Sequence, residues 1–370
     1  MAAWSSLPHD VVGVIANLVL DDVAAAGDLD YYMNMRSVCH NWRFAIVDPR
    51  AQPADPRFRL RQWVMLDEKH PNRGDALGRV FLNTVTGRYV NIELTSLLDY
   101  YFITSMGGLI VVASRATPHV VSVFNPFAGS FMAFMAPIPE SVQHTTAYLH
   151  QVGPLPPTLV LEIGESRDTA YSAQPNAEQF AVVEHGLLDK GRNVWGIAGD
   201  QHEIDDLMSS VVAVLPDEID YYYVYPCCYF VRSPGGDNLL VVRRQRPAHG
   251  VDVFKLDAET MAIQPTTCIG SRALFLGDRC VSVDVDADKF DSIHGNCIFY
   301  HDGHRDGEVA GVYMYDLTNQ TEEWVAPLFS DEPWDSIGIF PSSMIQLLMN
   351  YCTNIKWTQL DVERRQAMYW

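Results

Sequence analysis

The chain has 370 residues, 48% of them hydrophobic and 19% charged, with a formal net charge of −20. That composition describes a folded protein of two domains, or of one large domain with an appendage, and excludes an intrinsically disordered chain. The acidity disfavours nucleic acid and anionic membrane as partners, since both would be repelled; it is compatible with a basic protein partner or simply with solubility. No run approaches ~18 apolar residues, so no membrane-spanning helix is expected. No basic segment precedes an apolar core at the N-terminus, so no secretory signal is expected either. The seven cysteines show no CxxC pair and no regular spacing, which points to reduced thiols in the cytoplasm or nucleus. In that setting the sequon Asn319-Gln320-Thr321 carries little meaning.

Residues 1–48 read as a small helical module. Pro8 stands where a first helical turn tolerates proline, and Asp10 lies in the same turn, where a carboxylate favours the positive helix end. Val11, Val12, Val14, Ile15, Leu18 and Val19 fall mostly on one broad apolar face. Asp21-Asp22 and Gly27 break the pattern. A second segment sets Tyr32, Met35, Val38, Cys39 and Trp42 at helical spacing, and Pro49, Pro53 and Pro56 end it. Two or three helices this short bury little apolar surface alone. They need a partner, either the remaining chain or another protein. Residues 49–60, rich in proline and arginine, read as a linker or a strap.

From residue 61 to about 340 the period changes from helical to alternating. Strands are expected at Trp63 to Leu66, on both sides of the turn Asn83-Thr84-Val85-Thr86-Gly87, on both sides of Gly107-Gly108, and on both sides of Asn125-Pro126-Phe127-Ala128-Gly129. Others follow at 158–163, 180–183, 221–232, 239–244, 251–256, 273–276, 280–285, 297–300 and 312–317; residues 204–215 suit a strand or a short helix. Weakly repeated units of four strands, several ending in elements such as Val121 to Asn125, Val251 to Lys255 and Val312 to Asp316, predict a β-propeller. About 265 residues at about 45 per blade give roughly six blades, with five or seven as neighbours. A large β-sandwich, or two small ones, is the alternative, but a closed ring protects strand edges better at this length. Residues 341–370 form a tail that suits a capping helix or a closing strand.

The N-terminal pattern resembles the F-box: Leu7, Pro8, Asp10, Val11, Ile15 and Leu18, then Arg36, Val38, Cys39, Trp42 and Arg43, with an insert Asp21 to Tyr31 that is longer and more acidic than usual. An F-box docks on a Skp-type adaptor, which joins a cullin–RING ubiquitin ligase. The resemblance therefore implies adaptor binding through Leu7, Pro8, Asp10, Val11, Ile15, Leu18, Val38, Cys39 and Trp42. Of these, Leu7, Pro8 and Ile15 would face the adaptor, and Val38, Cys39 and Trp42 would lie at the rim or brace the helices. An ordinary helical cap packed on its own core is the competing reading. In the body, Phe124 to Gly129, Val253 to Asp257, Gly270 to Asp278, His294 to Tyr300 and Trp334 resemble plant F-box proteins that carry a kelch-like β-propeller. The fold the resemblance implies is a small all-α F-box of two to three helices followed by an all-β domain, a six-bladed propeller.

Catalytic and metal signatures are absent from the sequence. Asp284, Asp286 and Asp288 mimic the start of a calcium loop, but Lys289 and Gly295 stand where glycine and glutamate are needed. His301 and His304 lack a third metal ligand nearby in sequence. Adjacent Cys227 and Cys228 would point to opposite faces of a strand. No G-x-S-x-G, H-E-x-x-H, P-loop or G-x-G-x-x-G occurs. Two local features are unusual. Tyr221, Tyr222 and Tyr223 suit either a β-rich core or the mouth of a propeller, where aromatic residues anchor partners. Arg243, Arg244 and Arg246 form a locally positive spot that suits either a solvated loop or a target-facing surface. The expectation is a non-catalytic, cofactor-free substrate receptor of a Skp–cullin–F-box ubiquitin ligase, with a target protein held by the propeller. A propeller-fold enzyme, or a scaffold whose helical stretch packs inward, are the rivals.

Overall fold

A computed structural model describes residues 4–21, 29–58, 62–66, 78–106, 108–140, 142, 145–150, 155–163, 169–184, 193–195, 211–214, 228–232, 238–244, 250–257, 262–277, 282–302, 311–327, 343–353, 360 and 364. The chain divides into two units, residues 1–138 with 175–179, and residues 139–174 with 180–370.

The first unit begins with a 3₁₀ turn, Trp4–Ser6, and three helices: α1 (His9–Asp21), α2 (Leu29–Ser37) and α3 (His40–Ala45). Two sheets follow. One runs in the order β1 (Trp63–Met65), β2 (Gly78–Asn83), β3 (Tyr89–Glu93); the other is a four-stranded meander of β4 (Tyr100–Met106), β5 (Leu109–Ser114), β6 (Val120–Asn125) and β7 (Ser130–Pro137). The helices do not have a core of their own. Val12, Ala16, Leu20, Leu29, Tyr32 and Ile46 are buried in one cluster with Trp63, Met65, Phe81, Ile110, Val112 and Phe124 from the sheets. Residues 49–58 are the strap that joins them. Phe58 is fully buried and lies 5.5 Å from Tyr32, centroid to centroid. Arg50 Nε donates to the Ala128 carbonyl at 3.0 Å, and Asn125 Nδ2 donates to the Phe58 carbonyl at 2.8 Å, so the β6–β7 turn grips the strap at both ends.

The second unit holds three sheets of four or more strands. β8 (Thr146–His150), β9 (Thr158–Ile163), β10 (Thr169–Ala173) and β11 (Ala181–Glu184) make one, and β14 (Cys228–Arg232), β15 (Asn238–Arg244), β16 (Gly250–Leu256) and β17 (Ile263–Thr266) make the next. Between them in the chain stands a two-stranded ladder, β12 (Asn193–Trp195) with β13 (Val211–Val214). The last sheet has five strands in the order β19 (Val283–Asp286), β18 (Arg272–Phe275), β20 (Cys297–Asp302), β21 (Gly311–Asp316), β22 (Thr321–Pro327). Its β18–β20 pair is parallel and places Phe275 opposite Phe299, whose rings stack at 4.6 Å with 8° between their planes. Helix α4 (Met344–Thr353) packs on β18 and β20, burying Ile345, Leu348, Met349, Tyr351 and Cys352. The tail is thus a helix and not a closing strand over this span.

Five blades replace the six expected from strand spacing. The estimate assumed equal chain per blade. The stretch between β11 and β14 instead spends 43 residues, 185–227, on which the described portion is one two-stranded ladder. The hairpins themselves follow the sequence closely. Asn83 Oδ1 accepts the N–H groups of Val85 and Thr86, at 3.0 and 2.9 Å, and Gly87 closes the turn at φ 69°. Asn125 Oδ1 accepts those of Phe127 and Ala128, both at 3.1 Å, and Gly129 closes it at φ 65°. Asp316 Oδ1 accepts those of Thr318 and Asn319, at 2.7 and 3.3 Å, and Gln320 closes it at φ 53°. Each is a turn followed by a left-handed residue, the conformation that lets a longer hairpin loop match strand twist. The D-x-D-x-D stretch is partly structural: Asp284 is buried and paired with Arg272, and Asp286 Oδ1 accepts the Asp288 N–H.

These turns make a matched pair of predictions. Gly129→Ala should lower the unfolding free energy by roughly 1 kcal/mol, because a Cβ is disfavoured at positive φ. Gln320→Gly should raise it by about half a kcal/mol, the left-handed strain relieved less the added chain entropy. Urea midpoints read both. Slight burial works against ionisation of Asp316, but hydrogen bonds from Thr318 and Asn319 hold its carboxyl below the ordinary range. A depressed folded value means its contribution is complete above the unfolded pKa of ~3.9 and is lost as pH falls through the folded value. The stability gap between the parent and Asp316→Ala should therefore be full at pH 7 and close as the pH falls below ~4.

The shared core makes a further prediction. A fragment of residues 1–50 should show a coil-like circular dichroism spectrum, because its apolar inner face has lost its cover. Phe58→Ala in the full chain should cost about 3–4 kcal/mol.

Candidate functional site

Helix α1 has two apolar faces. Val12 and Ala16, each 1% exposed, and Leu20 repeat at four-residue spacing and seal against the core. Val11, Val14 and Leu18 lie on another face and remain in solvent, Val14 at 58% and Leu18 at 61%. Ile15 is half-buried between the two faces. Trp4, Val38 and Phe44 add further exposed apolar surface from the 3₁₀ turn, the α2–α3 junction and α3.

Polar contacts hold these elements in place. The Pro8 carbonyl accepts the Val12 N–H at 3.1 Å and starts α1. Trp42 Nε1 donates to the Trp4 carbonyl at 3.0 Å, and Asn41 Nδ2 donates to the Ser5 carbonyl at 3.1 Å, which pins the 3₁₀ turn to α3. Arg36 bridges α2 to the start of the strap, pairing with Asp48 at 2.7 Å and donating to the Ile46 carbonyl. Tyr32 Oη donates to the Val47 carbonyl at 3.1 Å. Burial raises the Tyr32 phenol above its ordinary value, with Arg57 and Arg36 opposing, so the hydroxyl stays a donor. Arg88 pairs with Asp30 and lies 4.9 Å from the Tyr31 ring centroid, tying α2 to the β2–β3 turn.

The structure sorts the nine residues expected on the docking face. Pro8, Asp10, Val11, Leu18 and Val38 are exposed. Leu7, Ile15, Cys39 and Trp42 are half-buried, and Leu7 and Trp42 pack against the shared core. Trp42 packs against that core while its indole N–H reaches the Trp4 carbonyl. Trp4, Val14 and Phe44 belong to the exposed set and were not expected there. Val14 was legible, since it stands three residues from Val11 and four from Leu18. Trp4 precedes the helical period and Phe44 ends it, so periodicity could not sort them.

The second expected set, toward a target, is mostly beyond view. Tyr221, Tyr222, Tyr223 and Arg246 lie outside the described residues, and Arg244 is placed only as the end of β15. Arg243 is drawn inward. It is 8% exposed, donates to the His301 carbonyl at 2.7 Å, and sets its guanidinium 4.9 Å from the Tyr300 centroid. It is therefore not a solvated partner-facing cation. Tyr300 Oη in turn donates to Glu322 on β22. Burial raises the Glu322 carboxyl above its ordinary value, and Arg243 opposes this only in part. Among the described residues no group of three or more His, Cys, Asp or Glu side chains could hold a metal ion, and no helix is long and apolar enough to cross a membrane.

No curated protein matches the chain. A family model does, the KIB1-4 beta-propeller, across residues 81–316. The match runs from β2 through β21 and so takes in the strands of all five blades, though not all of the first and last. With four-stranded antiparallel sheets repeating under that match, the chain belongs to the KIB1-4 beta-propeller family.

Proposed function

We propose that this protein is the substrate-recognition subunit of a Skp–cullin–F-box ubiquitin ligase, acting in the cytoplasm or nucleus. The helices dock a Skp-type adaptor, and through it a cullin, while the propeller captures a protein to be modified. The chain itself performs no chemistry; it raises the effective concentration of the target beside the ubiquitin-charged partner.

The observation that carries this reading is the outer face of α1. Its inner face is sealed into the core of the first unit, so Val11, Val14 and Leu18 are not waiting for their own chain. Each exposed side chain leaves on the order of 1 kcal/mol of burial unused. With Trp4, Val38 and Phe44, they make a surface of the kind that marks protein association. The F-box-like residues Pro8, Val11, Leu18 and Val38 belong to that exposed set.

Retention of a Skp-type adaptor on the immobilised full chain tests it. Wild type should retain the adaptor, and Val14→Asp with Leu18→Asp should reduce retention at least about tenfold by placing two carboxylates on the buried side of the complex. Both positions are solvent-facing, so the thermal midpoint should move by no more than about 2 °C. A wild-type chain that retains no adaptor, or a double variant that retains as much as wild type, would end the ligase reading. The test needs the full chain because α1–α3 share their core with β1–β7.

A further inference from the structure

Charge is divided very unevenly between the two units. The second carries 33 of the 46 Asp and Glu residues but only 15 of the 26 Lys and Arg residues. The first, with 13 carboxylates against 11 cations, is nearly neutral. A partner of the second unit therefore meets a strongly negative field, and a basic one is both steered and held.

Within that unit an aromatic residue stands exposed beside a carboxylate. Trp324 is 47% exposed on β22, the last strand of the five-stranded sheet. The pairings Tyr313 with Trp324 and Tyr315 with Glu322 put Trp324 and Glu322 on one face of the strand. Gly311 makes the floor: a Cβ there would collide with the Trp324 indole nitrogen and the Ala326 carbonyl. Glu322 is fixed from below by Tyr300 Oη, and Tyr300 is itself covered by Arg243 and stacked on Tyr313 at 6.3 Å. The result is a half-exposed indole on a rigid strand next to an anchored carboxylate, in a unit of high negative charge.

We infer that the β22 edge of the five-stranded sheet, centred on Trp324 with Glu322 beside it, docks a lysine- or arginine-bearing segment of a protein partner. The cation lies on the indole face, where the ring quadrupole attracts it, and pairs with the carboxylate at the same time. Burial alone disfavours charge on Glu322, so an arriving cation also relieves a cost already present in the free protein. The inference rests on the reading that the propeller unit captures protein, and names the chemistry it captures; it is independent of adaptor docking.

The probes are two labelled peptides of equal length, one of alternating lysine and serine and one of alternating glutamate and serine, titrated onto the full chain by fluorescence anisotropy. The basic peptide should bind with an affinity that falls with salt, and the acidic one should not bind. Trp324→Ala should weaken binding about tenfold and Trp324→Phe much less; Glu322→Gln should weaken it about five-fold. Asp288→Asn, an exposed carboxylate elsewhere in the same unit, should stay within about twofold of wild type. Equal binding by Trp324→Ala and wild type, or an Asp288→Asn loss as large as that of Glu322→Gln, would overturn the site in favour of diffuse attraction, while leaving protein capture intact. No preference for the basic peptide would overturn the partner class. Adaptor retention by the same preparations reports on the ligase reading separately.

Discussion

The seal between the inner face of the helices and the strands of the first unit is the constraint on which the arrangement depends. Three helices of 13, 9 and 6 residues cannot enclose a core. Val12, Ala16, Leu20, Leu29 and Tyr32 therefore borrow one from Trp63, Phe81, Ile110 and Phe124, with Phe58 of the strap lodged among them. Once that face is committed, its opposite is determined by helix geometry: residues two positions from Val12 and Ala16, such as Val14 and Leu18, look outward. The exposed apolar surface is a consequence of the seal, and Arg36, Trp42 and Asn41 tie α2 to the end of α3 and α3 to the N-terminal turn through backbone carbonyls.

The blades were largely legible because their signals are local. Alternation places β2 through β7 on either side of their turns, and an Asn followed four residues later by Gly marks the hairpins at 83–87 and 125–129, where a side-chain oxygen caps two amides. Strands with weaker signals escaped: β8, β10, β17 and β22 contain Thr, Ala, Gln or Glu at positions where alternation needs apolar residues, and the three-residue β12 is too short to show a period. The blade number was not legible for a different reason. It depends on how much chain separates one sheet from the next, which is a property of the connections and not of the strands. The parallel β18–β20 pair is similarly non-local, since β19 intervenes in the chain but pairs on the other side of β18.

Of the candidate site, the helical face was partly legible, and of the basic spot only the Arg243 side chain is described, drawn inward instead of toward solvent. Periodicity finds that α1 is apolar on more than one side, and it cannot say which side its own chain will cover. Leu7 and Trp42 look like the rest of the motif but pack inward, whereas Val14 and Phe44 are left outside. The Arg243–Arg246 run reads as positive surface because charge usually means solvent. In a strand, however, one of two neighbours is turned inward whatever its chemistry. Arg243 is that one, and Tyr300 and the His301 carbonyl supply the aromatic face and acceptor that make a buried guanidinium tolerable.

The two units thus present surfaces of different physical kinds, and that difference would separate the partners proposed for them. An apolar face on a nearly neutral unit gains by excluding water and is little affected by salt or by the charge of what approaches. An aromatic–carboxylate edge on a unit rich in acid discriminates by charge, gains association rate from its field, and loses both as salt rises. A basic segment has little to gain from the first surface, and an apolar helix little from the second. If both proposed partners bind, neither competes for the other's surface, because charge is segregated along the chain.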